Sequence, residues 1–363
     1  KELISGPSEV LIEAPRFIMH GGGGVGKTFT INTIAKWAEH ILRKPGDNIN
    51  KPKVLLLAPT GMAASLIHGT TIQTGLNMKF GTKYLPLKDA KREELRVLFE
   101  DLQLIIIDEF SMVGADALYD IHRRLQEIFV SQDYFGGRAI LLVGDLLQLP
   151  PVKARPIFSR PGYEKNASLW NSSDNLWSSF QVVTLNLSFR QGVCEWSKCL
   201  NRLRFGEITE ADRILLEGRR LENFPDLNQS KAMHVYYDNE AVDNYNSVMM
   251  DTIDEPYVTL NADIVVPRGY RVFITPYGTV DDTQFRKTLS LKIGVRVMLT
   301  FNVRISDSLI NGALGTVVGF SYGKNSRVIA VVVSFDNPEV GCQQRKENQE
   351  FCREFALQNI IFY

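Results

Sequence analysis

The segment GGGGVGKT, residues 21–28, constrains the fold of this chain more than any other stretch. It follows the apolar run RFIMH and precedes TFTINTIAKWAEHILRK, in which apolar residues recur at helical spacing. A glycine-rich turn of the form G-x-x-x-x-G-K-[ST] between a strand and a helix is a phosphate-binding loop, because its backbone N–H groups can curl around phosphate oxygens. The sequence therefore predicts an α/β fold with a nucleotide site at this turn.

The side chains at the end of this loop have distinct predicted roles. We expect Lys27 to reach the β- and γ-phosphates of ATP, and the Thr28 hydroxyl to ligate Mg²⁺ at the positive end of the helix. ATP and Mg²⁺ are therefore the predicted cofactors. The predicted nucleotide-binding residues are Gly21, Gly22, Gly23, Gly24, Val25, Gly26, Lys27 and Thr28.

Short apolar runs alternate with amphipathic stretches between residues 16 and 150. The runs KVLLLAPT, LQLIIIDEF and RAILLVGD are continuously apolar, which is typical of strands that are buried on both faces. The intervening ALYDIHRRLQEIF has the spacing of an amphipathic helix. This alternation predicts a parallel, doubly wound sheet, in which ligands bind at the carboxyl ends of the strands.

Two adjacent acids end one of these predicted strands. Asp108 and Glu109 follow LIII, where a buried strand emerges at its carboxyl end. Such a pair is otherwise usually solvated or caps a helix, but the upstream phosphate loop favours a catalytic interpretation. We expect Asp108 to hold Mg²⁺, and Glu109 to orient and deprotonate the attacking water.

The composition excludes several classes of protein. Lys plus Arg and Asp plus Glu each number 41, so the net charge is zero and any nucleic-acid surface would have to be local. No apolar run reaches the roughly 18 residues of a membrane span, and the first residues lack a signal-peptide pattern. We expect an intracellular protein that is not secreted and has no membrane partner. It would be nuclear or mitochondrial in a eukaryote and cytoplasmic otherwise.

Several later segments resemble the successive motifs of the Pif (petite integration frequency) family of DNA helicases. These segments are LLLAPTGMAASLIHGTTIQT, IIIDEFSM, FGGRAILLVGDLLQLPPV and LNLSFRQ, and they follow the phosphate loop in the family's order. VRVMLTFN with NGALGTVVGF is similar to the family's barrel insertion. The phrases VGDLLQLPPV, SFRQ and LNRLRFGEITEAD look closest to helicase modules of Helitron-type rolling-circle transposons. The resemblance covers most of residues 16–336.

The resemblance implies catalytic roles that spacing alone does not give. Gln148 matches the family's γ-phosphate sensor, and Asp145 would tie that sensor to the core. Arg190 matches an arginine finger that reaches from the second domain into the nucleotide cleft, where its planar fork neutralises transition-state charge. The predicted catalytic residues are Lys27, Glu109, Gln148 and Arg190.

The resemblance also implies a DNA-binding surface. Thr60, Gly61 and Thr71 match positions where the family contacts the single-strand backbone through small hydroxyls and N–H groups, which position DNA without reading its sequence. Helix capping is an alternative role for Thr60, and both roles can hold together. The implied partners are single-stranded DNA and DNA forks. The implied activity is ATP-dependent, 5'-to-3' unwinding in DNA replication, repair, recombination or telomere maintenance.

The resemblance implies two RecA-like P-loop domains with parallel sheets. We assign residues 1–183 to the first domain, with a small insertion at about 75–91 where Gly, Pro and Lys break both periodicities. Residues 184–290 would form a second, incomplete RecA-like domain. LKIGVRVMLTF, ALGTVVGFSY and RVIAVVVSF have the pattern of closely spaced strands joined by Gly and Asn turns, which predicts a small β-barrel. By resemblance this barrel, at 291–340, is SH3-like and inserted in the second domain. Residues 341–363 are the remainder.

The family's Ile-His-Lys-Ser-Gln-Gly type of segment is expected after VVVSFDNPEVG, yet the chain ends at Tyr363 without it. We therefore expect a fragment or a degenerate relative. Two alternative functions remain open at this stage. One is a nucleotide-gated single-stranded DNA-binding module that does not unwind, and the other is the helicase part of a Helitron-type transposase.

Overall fold

The computed structural model divides into two compact units, residues 1–218 and 219–363. It describes residues 13–79, 83–163, 175–190, 192, 194–224, 233–261, 287–301, 303–323, 327–347 and 360–362. The division after Gly218 differs from the predicted domain boundary at 183, because the strand that contains residue 183 and the helices after it belong to the first unit. The assignment of functional domains remains a prediction.

A six-stranded sheet forms the centre of the first unit, in the order β3-β2-β4-β5-β1-β6. Every pairing in it is parallel, as the apolar runs predict. All six strands therefore present their carboxyl ends at one edge. The strands are β1 (Arg16–Gly21), β2 (Val54–Ala58), β3 (Thr70–Thr71), β4 (Leu104–Ile107), β5 (Ala139–Gly144) and β6 (Gln181–Leu185).

Helices cover both faces of this sheet. Ile106 of β4 packs in one core with Ile31 and Ala64 of the helices α1 and α2, whereas its neighbour Ile105 packs in a second core with Leu125 of α5. Successive strand residues point to opposite faces, so both faces are buried and the predicted doubly wound fold is confirmed. The helices are α1 (Lys27–Leu42), α2 (Gly61–Leu66), α3 (Ile72–Gly75), α4 (Asp89–Leu98) and α5 (Ala115–Phe129).

Two further helices complete the first unit, α6 (Glu195–Phe205) and α7 (Glu210–Glu217). Thr209 and Asp212 form a capping box at the start of α7, which satisfies backbone N–H groups that a helix leaves free. Arg202 of α6 donates to both carboxylate oxygens of Asp212, at 2.7 and 2.6 Å. This bidentate pair, together with burial of the Asp212 carboxylate, fixes the two helices against each other.

The described part of the predicted insertion at 75–91 is held against α5 by one carboxylate. Glu127 accepts hydrogen bonds from Tyr84 Oη at 2.6 Å, from Leu87 N at 2.8 Å and from Arg124 Nη1 at 2.8 Å. Arg124 also donates to Leu85 O at 2.9 Å. Residues 80–82 of this insertion lie outside the described residues.

The second unit contains mainly antiparallel strands. One sheet has the order β12-β11-β10-β9, and a second pairs β7 with β8. The strands expected in LKIGVRVMLTF, ALGTVVGFSY and RVIAVVVSF are present as β9, β10 and β11. The elements are α8 (Asn239–Asp251), β7 (Val258–Asn261), β8 (Thr288–Leu291), β9 (Arg296–Met298), β10 (Leu314–Tyr322), β11 (Val328–Phe335), α9 (Cys342–Glu347) and β12 (Ile360–Phe362).

Short 3-10 turns link several of these elements. They lie at Phe110–Met112, Tyr134–Gly137, Trp177–Ser179, Leu221–Asn223 and Ile305–Asp307. Within the described ranges, no helix has both the length and the apolar character that crossing a membrane requires.

Replacing Glu127 with alanine should lower the free energy of unfolding of the first unit by about 3 kcal/mol, because Arg124 would stay buried without its carboxylate. Urea denaturation followed by tryptophan fluorescence measures this change. Glu94→Ala is the matched control, since it removes an exposed ion pair with Lys91 and should cost less than about 0.5 kcal/mol. Equal effects of the two substitutions would contradict this role of Glu127.

Candidate nucleotide-binding site

The glycine-rich loop lies between the end of β1 at Gly21 and the start of α1 at Lys27. Gly24 and Gly26 have φ values of 78° and 86°, a left-handed conformation that side chains rarely adopt. Gly26 is the N-cap of α1. The first turn of α1, all of it described, carries no acidic side chain, so its free N–H groups and its dipole favour a bound anion.

Lys27 and Thr28 lie in the first turn of α1, immediately after this loop. Lys27 Nζ donates to the carbonyl oxygens of Gly21 and Gly22, both at 3.0 Å. The ammonium group is therefore held over the loop that its predicted phosphate ligand would occupy. A ligand phosphate in the loop would compete with these two neutral acceptors as a stronger, charged one.

Asp108 and Glu109 lie where β4 ends, at the same sheet edge as the loop. Asp108 is buried, and its Oδ1 accepts a hydrogen bond from the Glu109 N–H at 2.9 Å. Burial raises the pKa of Asp108 to about 6, assisted by the Glu109 charge and opposed by this hydrogen bond and the Lys27 charge. Glu109 has a φ of 49°, a strained conformation for a non-glycine residue that is typical of functional sites.

The predicted sensor lies just after β5. Gln148 Nε2 donates to Asp145 Oδ2 at 3.2 Å, which is the tie between sensor and core that the resemblance implied. Asp145 is only 1% exposed, and its Oδ1 also accepts the Leu147 N–H at 3.1 Å. The carboxylate therefore orients the turn that carries the Gln148 amide.

His20 approaches the same carboxylate from β1. Its Nε2 accepts the Leu146 N–H at 3.3 Å and lies 3.4 Å from Asp145 Oδ1. Burial lowers the pKa of His20 below its usual 6.5. The charge of Asp145 raises this pKa, whereas the charges of Arg204 and Lys27 lower it. At neutral pH His20 is an uncharged acceptor. The charges of Asp145, Arg204 and Lys27 therefore all act on the His20 imidazole.

The segment after β6 returns across the glycine-rich loop. The Phe189 N–H donates to Gly24 O at 2.8 Å, and a methyl group built on Gly24 would lie 2.6 Å from Arg190 Cβ. The predicted arginine finger thus lies beside the phosphate loop. It lies within the first compact unit, residues 1–218, and its role as a finger that reaches from a second domain stays a prediction.

Arg204, on α6, was missed by the sequence analysis. Its Nη2 forms an ion pair with Asp145 Oδ1, and a methyl group on Gly22 would lie 2.5 Å from its Nη1. These two partners are distant in the sequence, so no local spacing signals the contact. Its position in LNRLRFGEITEAD, a phrase already singled out by resemblance, is the only sequence signal for it.

The three predicted DNA-contacting residues lie at the carboxyl ends of β2 and β3, which are parallel neighbours. Thr60 caps α2 by accepting the Ala63 N–H at 3.2 Å, and Gly61 is the first residue of that helix. Thr71 caps α3 and is buried, and its hydroxyl donates to Thr74 Oγ1 at 2.9 Å. The capping alternative for Thr60 is therefore present, and contact with DNA stays a prediction for all three.

A family model described as PIF1-like helicase matches residues 8–213, more than half of the chain. The chain belongs to the PIF1-like helicase family. The predicted family is thereby confirmed. A second model, described as the 2B domain of DNA helicase Pif1, matches residues 283–320. That range contains β8, β9 and most of β10, the region in which the β-barrel insertion was predicted.

Two curated relatives of this PIF1-like chain are named as DNA helicases. ATP-dependent DNA helicase PIF1 of Emericella nidulans is 28% identical over 315 residues, which cover 83% of this chain and 38% of that protein. ATP-dependent DNA helicase RRM3 of Saccharomyces cerevisiae is 26% identical over 306 residues, covering 83% and 39%. The chain spans about two fifths of the length of these curated relatives.

Solved Pif1 structures share the fold. A structure of Pif1 helicases at forked double-stranded DNA has a TM-score of 0.63 at 24% identity, covering 89% of this chain and 70% of that one. A crystal structure of Bacteroides Pif1 bound to single-stranded DNA has a TM-score of 0.59 at 25% identity, covering 89% and 69%. The predicted α/β fold class, with its parallel sheet, is confirmed by these likenesses, and the 2B match lies where the β-barrel insertion was predicted.

The Asp108 carboxyl generates a prediction about stability. Its raised pKa means that the folded state binds a proton more tightly than the unfolded chain does. Its contribution to stability is therefore complete below the ordinary pKa of 3.8 and is lost as the pH rises through about 6. Above that pH, a buried charge destabilises the fold.

Asp108→Asn should raise the free energy of unfolding of the first unit at about pH 8 by up to about 3 kcal/mol. The gain should shrink toward zero near pH 4, where the aspartic acid is itself neutral. Thermal unfolding at both pH values measures the difference. A gain that is independent of pH, or a loss at high pH, would show that Asp108 is not held as a desolvated charge.

Proposed function

We propose that this chain hydrolyses ATP and uses the energy to move 5'-to-3' along single-stranded DNA and to unwind duplexes. The observation that carries the proposal is the group of charges at one sheet edge. There Lys27 lies over a loop suited to phosphate and acts electrostatically on Asp108, a buried acid. The named relatives, which are ATP-dependent DNA helicases, support the same activity.

For ATP, the proposed ligands are the loop residues 21–26 with Lys27 and Thr28. The N–H groups of the loop and of the α1 N-terminus would bind the phosphates, and Lys27 would leave its two carbonyl acceptors for the phosphate oxygens. Nucleotide binding is supported by a Pif1 helicase from Bacteroides solved in complex with ADP-AlF3 and single-stranded DNA.

The donor set fits Mg²⁺, which prefers hard oxygen ligands and keeps several waters. Thr28 would supply a hydroxyl and Asp108 a carboxylate. The cost of burying the charged form of Asp108 would be relieved by a cation nearby, because an opposite charge favours the ionised carboxylate. Bound Mg²⁺ would neutralise charge on the β- and γ-phosphates.

Hydrolysis would use three more side chains. Glu109, half-exposed at the end of β4, would accept a proton from the attacking water. Gln148, exposed on its turn and tied to Asp145, would contact the γ-phosphate and the water. Arg190 is exposed beside Gly24, from which its guanidinium would stabilise charge on the transferring phosphoryl group.

Single-stranded DNA and DNA forks are the proposed partners, since solved relatives include Pif1 with single-stranded DNA and at forked DNA. Thr60, Gly61 and Thr71 are the proposed backbone contacts of the first unit. The 5'-to-3' direction rests on the family resemblance. The same resemblance is the basis for a role in replication, repair, recombination or telomere maintenance. It is also the basis for a nuclear, mitochondrial or cytoplasmic location.

A nucleotide-gated binding module is the competing function, and a Helitron-type transposase part is a third. An ATPase titration of the chain with and without oligothymidine separates the first two, because only a motor releases phosphate faster when DNA is added. A nuclease module encoded next to the chain would identify the transposase.

Glu109→Gln should still bind Mg-ATP, but should hydrolyse it at least about 100-fold more slowly than the wild type, since only the base is lost. Phosphate release with oligothymidine present, together with nucleotide affinity, measures the two effects. The matched control is Glu100→Gln, which alters an exposed ion pair with Lys51 and should leave both values unchanged. Equal rates for Glu109→Gln and wild type would show that another residue is the general base.

DNA binding should depend on salt but hardly on sequence. Each phosphate that the protein neutralises releases counterions, so the logarithm of affinity should fall with the logarithm of salt by about 0.7 per contact on single strands. Fluorescent oligothymidine and a mixed-sequence strand, titrated across a salt series, should give similar negative slopes. A flat slope, or tighter binding to duplex than to single strands, would contradict the proposed DNA surface.

A further inference from the structure

Arg204 connects the phosphate loop to the sensor turn. Its Nη1 lies so close to Gly22 that a methyl group there would be 2.5 Å away, and its Nη2 binds Asp145 Oδ1. The Nε–H is buried and finds no hydrogen-bond partner among the described residues. The position of the guanidinium is therefore set by the loop and by Asp145.

The two oxygens of the Asp145 carboxylate accept hydrogen bonds from different groups. Oδ1 accepts Arg204 and the Leu147 N–H, whereas Oδ2 accepts the Gln148 amide at 3.2 Å. With 1% exposure, the carboxylate has almost no water to replace a lost partner. Removal of Arg204 would leave the Leu147 N–H as the remaining donor to Oδ1, so the carboxylate would be free to rotate. The Gln148 amide would then lose its fixed orientation.

We propose that Arg204 is a positioning residue of the nucleotide site, which holds Asp145 so that the Gln148 amide faces the γ-phosphate. Through this contact, γ-phosphate recognition depends on the placement of α6. The inference rests on the proposed ATP-binding function, within which it assigns a residue that acts through Asp145 and not on the substrate itself.

A purely structural role for Arg204, in docking α6, is the alternative. The same helix provides a matched control in Arg202, two residues earlier, which makes a bidentate ion pair with the buried Asp212. Arg202→Gln also removes an ion pair to a buried carboxylate, but one without a bond to Gln148. A structural role predicts similar consequences for the two substitutions.

The test is the ratio of affinities for ATPγS and ADP, measured by competition against a fluorescent ADP analogue with Mg²⁺ present. Loss of one well-placed hydrogen bond corresponds to about a fivefold change in affinity. We expect Arg204→Gln and Gln148→Ala each to lower the ATPγS preference by about fivefold, mainly through weaker ATPγS binding. Arg202→Gln should keep the wild-type ratio.

The double variant decides whether the two residues act together. Because Arg204 affects the γ-phosphate only through Asp145 and the Gln148 amide, Arg204→Gln with Gln148→Ala should lower the ratio no further than Gln148→Ala alone. Multiplied effects would overturn the proposal, as would a wild-type ratio in Arg204→Gln.

If Arg204→Gln does not fold, as judged by circular dichroism, Arg204→Lys replaces it. Lysine keeps the charge but lacks the fork that spans Gly22 and Asp145, so its ratio should lie between those of wild type and Gln148→Ala. A wild-type ratio in Arg204→Lys would overturn the proposal. A wild-type chain that binds neither nucleotide would overturn the proposed function itself. A wild-type chain that prefers ATPγS, with Arg204 variants that prefer it to the same extent, would overturn this inference alone.

Discussion

The parallel alignment of six strands is the constraint on which the rest of this site depends. Burial of both faces requires helices above and below the sheet, as the opposite packing of Ile105 and Ile106 shows. Helical crossovers keep the strands parallel, so every strand ends at the same edge. The glycine loop after β1, Asp108 after β4 and Asp145 after β5 are thereby brought together from distant parts of the chain.

Charged groups are concentrated at this edge, where little water reaches them. The two buried acids there differ in the partners that stabilise their charge. Asp145 has partners in the Arg204 guanidinium and in N–H groups. Asp108 has one backbone N–H and a raised pKa, so its charged form is destabilising in the free protein. A side chain whose charged form lowers stability is expected at a site selected for chemistry.

The glycines of the loop allow a left-handed backbone conformation and also leave room for neighbouring side chains. Gly24 adopts a left-handed conformation and also admits Arg190, while Gly22 admits the Arg204 guanidinium. Segments that lie far along the chain can approach the loop only because these positions lack a Cβ. The close approach of two arginines to the phosphate loop thus depends on the fold of the whole unit. Both the loop glycines and the segments that return to the loop contribute to it.

Local sequence patterns were enough to predict the phosphate loop, the parallel sheet, the acids after β4 and the cap at Thr60, because each depends on residues a few positions apart. Close spacing and the Gly and Asn turns between them also predicted β9, β10 and β11. The folded structure was needed to bring Arg204 and His20 together at Asp145 and to place Arg190 in the first unit. These contacts join residues whose approach depends on how the whole chain packs, and local spacing carries no record of that packing.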